Sequence, residues 1–137
     1  MKRVAYLMAI VIVHTIMACK KEEDKNAFGK KVMLYLNQST QIGNESNLNF
    51  KLKKVSDSRC RQDMICIWEG YASADIQITN AGTVITSLEI CTGGCTAVNK
   101  QTQQTFTVNN KSYSVLLNDV NNEDPARVYA VVTVTPK

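Results

Sequence analysis

Four cysteines in two close pairs carry most of the chemistry open to this chain. Cys60 and Cys66 bracket the stretch RQDMI, and Cys91 and Cys95 bracket TGG. Four thiolates can hold zinc tetrahedrally, normally as two pairs spaced C-x(2–4)-C. Cys91 and Cys95 meet that spacing, whereas Cys60 and Cys66 do not. A dithiol redox centre normally shows C-x-x-C at a helix start, where the thiolate is stabilised. Neither pair has that spacing. An immunoglobulin-type staple sets two distant cysteines on either side of a tryptophan, but Trp68 follows both Cys60 and Cys66. What remains is a pair of structural disulfides. Three connectivities are open. The local set, Cys60–Cys66 with Cys91–Cys95, is preferred because turns bring near neighbours together at small entropic cost. A crossed set would instead tie the two regions to each other.

The stretch DSRCRQDMICIWEG, residues 57–70, surrounds the first pair. Asp57 and Ser58 are short polar residues suited to bonding loop amides. Arg59 can pair with Asp57 or Asp63, or reach a ligand. Trp68 can cover a disulfide and pack on the strand that begins at Tyr71. Gly70 lets the chain turn into that strand. Asp57, Arg59, Trp68 and Gly70 are therefore assigned a structural role.

Other chemistry is thin. The only histidine is His14. It lies in the leader described below, so the chain beyond it has none. That excludes Ser-His-Asp and Cys-His catalysis and histidine-ligated zinc or haem. Asn118, Asp119, Asn121, Asn122, Glu123 and Asp124 offer oxygen ligands to calcium, although such clusters usually form plain turns. No carboxylate pair is singled out for acid–base work. The glycines of Cys91-Thr-Gly-Gly-Cys95 lack the lysine and following helix of a phosphate loop. No catalytic residue, metal ligand or cofactor is assigned.

The first residues set the compartment. Lys2 and Arg3 precede an apolar run, Val4 to Val13, and Ile16-Met17-Ala18 leads to Cys19. This is the layout of an export signal, and its core is short of the roughly 20 residues that span a bilayer. Ile16-Met17-Ala18-Cys19 resembles the bacterial lipobox, which implies cleavage after residue 18 and lipidation of Cys19 with palmitate-type acyl chains. Lys20-Lys21-Glu22-Glu23-Asp24 resembles the export tag of Bacteroidota lipoproteins. That likeness implies display on the outer face of the outer membrane, with Lys21, Glu22 and Glu23 as the tag. Residues 1–18 are then a signal peptide, residues 19–30 a lipidated, charged tether, and residues 31–137 one β-sandwich domain.

Loss of Lys2 and Arg3 lowers the precursor's net charge of +4, and nothing gathers the remaining charge into the basic face that nucleic-acid binding requires. Loss of Cys19 to lipid leaves four cysteines, an even number in an exported chain.

These residues need a frame, and the frame is all-β. Short runs rich in Val, Ile, Thr and Tyr alternate apolar and polar positions. They predict seven strands at 31–36, 48–55, 71–78, 83–90, 104–108, 112–120 and 127–135, folded as an antiparallel β-sandwich with disulfide-pinned loops. Asn80-Ala81-Gly82 and Asn109-Asn110-Lys111 predict tight hairpins. Asn37 to Asn49 is read as loop.

Asp57-Ser58-Arg59-Cys60, with Cys66, Trp68 and Gly70, resembles a motif of small uncharacterised bacterial exported proteins and lipoproteins. That group runs D-S-R-C-P, a short gap, C-x-W-x-G and an alternating strand, and ends with a tyrosine strand, a proline-bearing loop and a last strand. Tyr113 to Val120, Pro125 and Tyr129 to Val134 are similar here, so the likeness covers most of residues 48–137. Arg61 stands where the group has proline. The resemblance implies a β-rich fold and no established activity. The expectation is a non-enzymatic binding or accessory module of the cell envelope, held to the membrane by lipid, with a protein or glycan ligand. A small hydrolase built on carboxylates or a metal, and a purely structural envelope protein, are the alternatives.

Overall fold

A computed structural model describes residues 26–43 and 47–137. Residues 1–18, expected to be a signal peptide, the expected lipidation site Cys19 and the expected tag residues Lys21, Glu22 and Glu23 lie outside the described residues.

Among the described residues eight strands form: β1 (Lys31–Tyr35), β2 (Ser39–Gln41), β3 (Leu48–Asp57), β4 (Tyr71–Asn80), β5 (Thr83–Gly93), β6 (Gln103–Val108), β7 (Lys111–Asn121) and β8 (Tyr129–Pro136). A short 3-10 turn covers Cys95–Val98. One sheet has the order β1-β8-β7-β6 and the other β2-β3-β4-β5. Every neighbouring pair is antiparallel. Alternation decides which side chains face inward. Ala72, Ala74, Ile76 and Ile78 from β4 are wholly buried, as are Leu48, Phe50 and Leu52 from β3 and Ala130, Val132 and Val134 from β8. The two inner faces form one apolar core between the sheets, the arrangement of a sandwich.

The strand missed by the sequence reading is β2. Ser39-Thr40-Gln41 has no apolar alternation to announce it, and it forms as a three-residue edge along β3. The last strand starts at Tyr129 rather than Arg127. Residues 26–30 are more than tether. The Gly29 amide donates to Val134 O at 2.8 Å, and the Gly43 amide donates to Asn26 O at 2.8 Å. The Phe28 ring lies 5.4 Å from that of Tyr113. An apolar ring next to a sheet end is reason enough for this segment to dock.

Among the described residues three β-bulges interrupt the ladders, between Leu52 and Lys54 in β3, between Val84 and Thr86 in β5 and between Leu117 and Asp119 in β7. A bulge inserts one extra residue and shifts the parity of all that follow. In β7 it returns Val120 to the core and leaves Asp119 outside. The molecule thus has two distinct ends. Residues 26–30, the turn at 81–82 and the turn at 109–110 lie at one. The ends of β3 and β7, the start of β4 and the loops 58–70 and 122–128 lie at the other. Ten-residue strands such as β3 and β4 separate them by about 30 Å.

Candidate binding surface

Loop 58–70 joins β3 to β4, and its base continues their ladder. The Ser58 amide donates to Tyr71 O at 2.9 Å, and the Cys60 amide donates to Glu69 O at 2.8 Å. The base closes tightly because Gly70 has no side chain. A Cβ there would lie 2.1 Å from Ser58 O, and its φ of +71° is a region that L side chains rarely adopt. The second disulfide loop meets the first at this point. The Gly94 amide donates to Gly70 O at 2.8 Å, and a Cβ on Gly94 would come within 2.7 Å of the same oxygen.

Both disulfides take the local pairing. Cys60 is joined to Cys66, with Cα atoms 6.0 Å apart, and Cys91 to Cys95, with Cα atoms 5.9 Å apart. They sit differently. Cys91 and Cys95 are buried, whereas residues 61–69 are exposed throughout. Thiols consumed in this way are no longer thiolate ligands. Among the described residues, no group of three or more His, Cys, Asp or Glu is placed to hold a metal.

Arg59 ties this loop to the other sheet. Its Nε and Nη2 donate to the two carboxylate oxygens of Asp57, at 2.9 and 2.6 Å. Its Nη1 donates to Asp119 Oδ1 at 2.7 Å, and Nη2 also reaches Val120 O at 3.0 Å. One planar cation thereby binds the end of β3 to the end of β7, a use of the guanidinium fork that lysine cannot reproduce. The side-chain hydrogen bond from Arg59 is the chief reason that Asp57 is held below the usual carboxylate range, with burial opposing it. The bond to Asp57 likewise raises the pKa of Arg59. Asp57 and Asp119 do converge, but on this guanidinium. Asp63 pairs separately with Arg61, at 3.2 Å. Three of the six side chains considered for calcium find separate partners: Asn118 accepts from Thr133, Asp119 from Arg59, and Asp124 from the Ala126 amide.

Beyond this braced base the loop presents apolar side chains to solvent. Ile65 and Ile67 are exposed at 106% and 107% of the reference surface, Met64 at 58% and Trp68 at 50%. The Trp68 ring lies 6.3 Å from the Tyr71 ring, and Lys100 Nζ stands 5.9 Å from the centroid of the Tyr71 ring. Lys100 is also paired with Glu89, which raises its pKa. Trp68 does pack beside Tyr71, as its position suggested, yet half of it stays in water. The exposure of Ile65 and Ile67 was not foreseen. The signal available was the placement of Met, two Ile and Trp in one short loop among charged residues.

The other end of the sandwich carries a concavity of about 660 Å³ lined by Ala27, Phe28, Gly43, Tyr113 and Lys137, among others. No helix among the described residues is long and apolar enough to cross a membrane. No protein-family model matches this chain, and neither a curated protein nor a solved structure does.

Proposed function

We propose that this chain is a lipid-anchored outer-membrane lipoprotein facing the cell exterior, and that its β-sandwich is a non-enzymatic binding or accessory module of the cell envelope. The observation that carries this reading is the position of the exposed apolar tip. Met64, Ile65, Ile67 and Trp68 project at the end opposite residues 26–30, where the described chain begins. Large exposed apolar clusters on soluble domains usually mark interaction sites. A chain tethered through Cys19 holds this one away from its own membrane. Residues 19–25 reach at most about 25 Å when extended, so the sandwich supplies at least as much of the reach as the tether. The base is suited to recognition, because a disulfide and the Arg59 bridge fix the loop before any partner arrives, which lowers the ordering cost of binding.

Protease shaving of intact cells tests the placement. The native domain should be cleaved from the surface. A Cys19→Ala variant should lose its membrane attachment, and a variant with Lys21, Glu22 and Glu23 replaced by alanine should stay anchored but protected. Protection of the native domain until the outer membrane is opened would move its partners to the periplasm.

A further inference from the structure

We infer that the tip formed by Met64, Ile65, Ile67 and Trp68 docks into an apolar groove of a second, different protein, and that basic residues flank that groove. The inference rests on the binding-module reading and goes further by choosing the partner's chemistry.

The side chains select protein over sugar. A saccharide is gripped by convergent hydrogen-bonding groups beside an aromatic face. Isoleucine and methionine offer no such groups. The two guanidinium groups nearby are already engaged, Arg59 by Asp57 and Asp119 and Arg61 by Asp63. What the tip does offer is aliphatic and aromatic surface that gains free energy on leaving water. An aromatic anchor with aliphatic neighbours on a rigid loop is the composition of an interface hot spot.

Charge then narrows the partner. The tip end of the sandwich carries Asp57, Asp63, Glu69, Asp119, Glu123 and Asp124 against Arg59, Arg61 and Arg127, with Lys100 beside Tyr71 balanced by Glu89. Glu69 directly follows Trp68. An excess of carboxylates around the apolar tip opposes an anionic bilayer and opposes a second copy approaching tip to tip. It favours a groove with lysine or arginine at its rim, and such complementarity chiefly speeds association and excludes wrong partners.

Ile65 and Ile67 are already fully exposed, so polar replacements there leave the fold intact, and an unchanged melting curve verifies this. A photo-cross-linking phenylalanine analogue would be placed at position 65 of the full chain in intact cells. The same group at Val84, an exposed apolar site at the opposite end, is the control. Position 65 should give one discrete protein adduct that position 84 does not. That protein, once purified, should bind the native domain at least tenfold more tightly than the Ile65→Asp/Ile67→Asp variant. Its association rate should fall as salt rises from 50 to 500 mM. Four results would overturn the inference: adducts to a second copy, adducts to phospholipid alone, no discrete adduct, or binding unmoved by the double substitution. Failure of the surface placement is separate. It appears as protection from protease, and binding between the purified proteins persists.

Discussion

Arg59 concentrates more interactions than any other side chain of the loop, and its loss should be felt in stability first. Arg59→Ala leaves Asp57 and Asp119 without their shared cation, and charge-assisted hydrogen bonds of this kind contribute about 2 kcal/mol. Urea unfolding should show a loss of that order, and Arg59→Lys should recover only part of it. The pH dependence follows from Asp57. Its pKa is lowered in the folded state, so its stabilising contribution is complete above the unfolded value of about 4. It is lost as pH falls through the lower folded value. Stability measured on descending from pH 5 into that range should therefore decline, and Asp57→Asn should flatten that part of the profile. Gly70→Ala should cost at least about 2 kcal/mol, because positive φ alone costs 1–3 kcal/mol in strained sites and the added carbon meets the Ser58 carbonyl. Of this arrangement, the Asp57–Arg59 pair was legible in the sequence because its members are two residues apart. Asp119 was not, since its approach depends on a bulge in β7 and on the packing of one sheet over the other.

At the level of elements, periodicity carried most of the fold. Alternation placed seven strands within a few residues of their ends and missed β2, where three polar residues pair at an edge without contributing to the core. The bulge in β3 left a visible mark, since Lys53 and Lys54 break the rhythm of Leu48, Phe50 and Leu52. The β4–β5 hairpin carries an avoidable strain. Asn80 pairs with Thr83, so Ala81 and Gly82 form a two-residue turn with φ of +47° and +82°. Two positive φ values define the type I′ turn, which favours asparagine followed by glycine. Asn109 and Asn110, at +51° and +59°, meet the same need in the β6–β7 hairpin. Ala81→Asn should therefore raise stability by about 0.5–1 kcal/mol, readable as a higher melting temperature with no change in the circular dichroism spectrum.

Over the whole molecule, the two disulfides serve different ends of one task. Replacing Cys60 and Cys66 with serine should cost about 2 kcal/mol in the chain-entropy account of a short loop. It should also weaken partner binding, because the tip must then be ordered on contact. The Cys91/Cys95 pair is buried beside the β4–β5 ladder, so its replacement should lower stability without touching the tip residues. The sandwich could be read from the sequence because apolar alternation reports on it directly, whereas the local disulfides were a preference among three connectivities, resting on the small entropic cost of closing short loops. The tip could not be read as exposed, since Ile65, Ile67 and Trp68 are residue types that normally fill a core.

The placement of the tether end and the tip at opposite poles has a mechanical meaning. A pull between a bound partner and the membrane would run along the strands, from the β3–β4 loop toward residues 26–30. Inter-strand hydrogen bonds lie across that line, so many of them would bear the load together in shear instead of parting one after another. A module of this shape would hold under tension until whole ladders gave way.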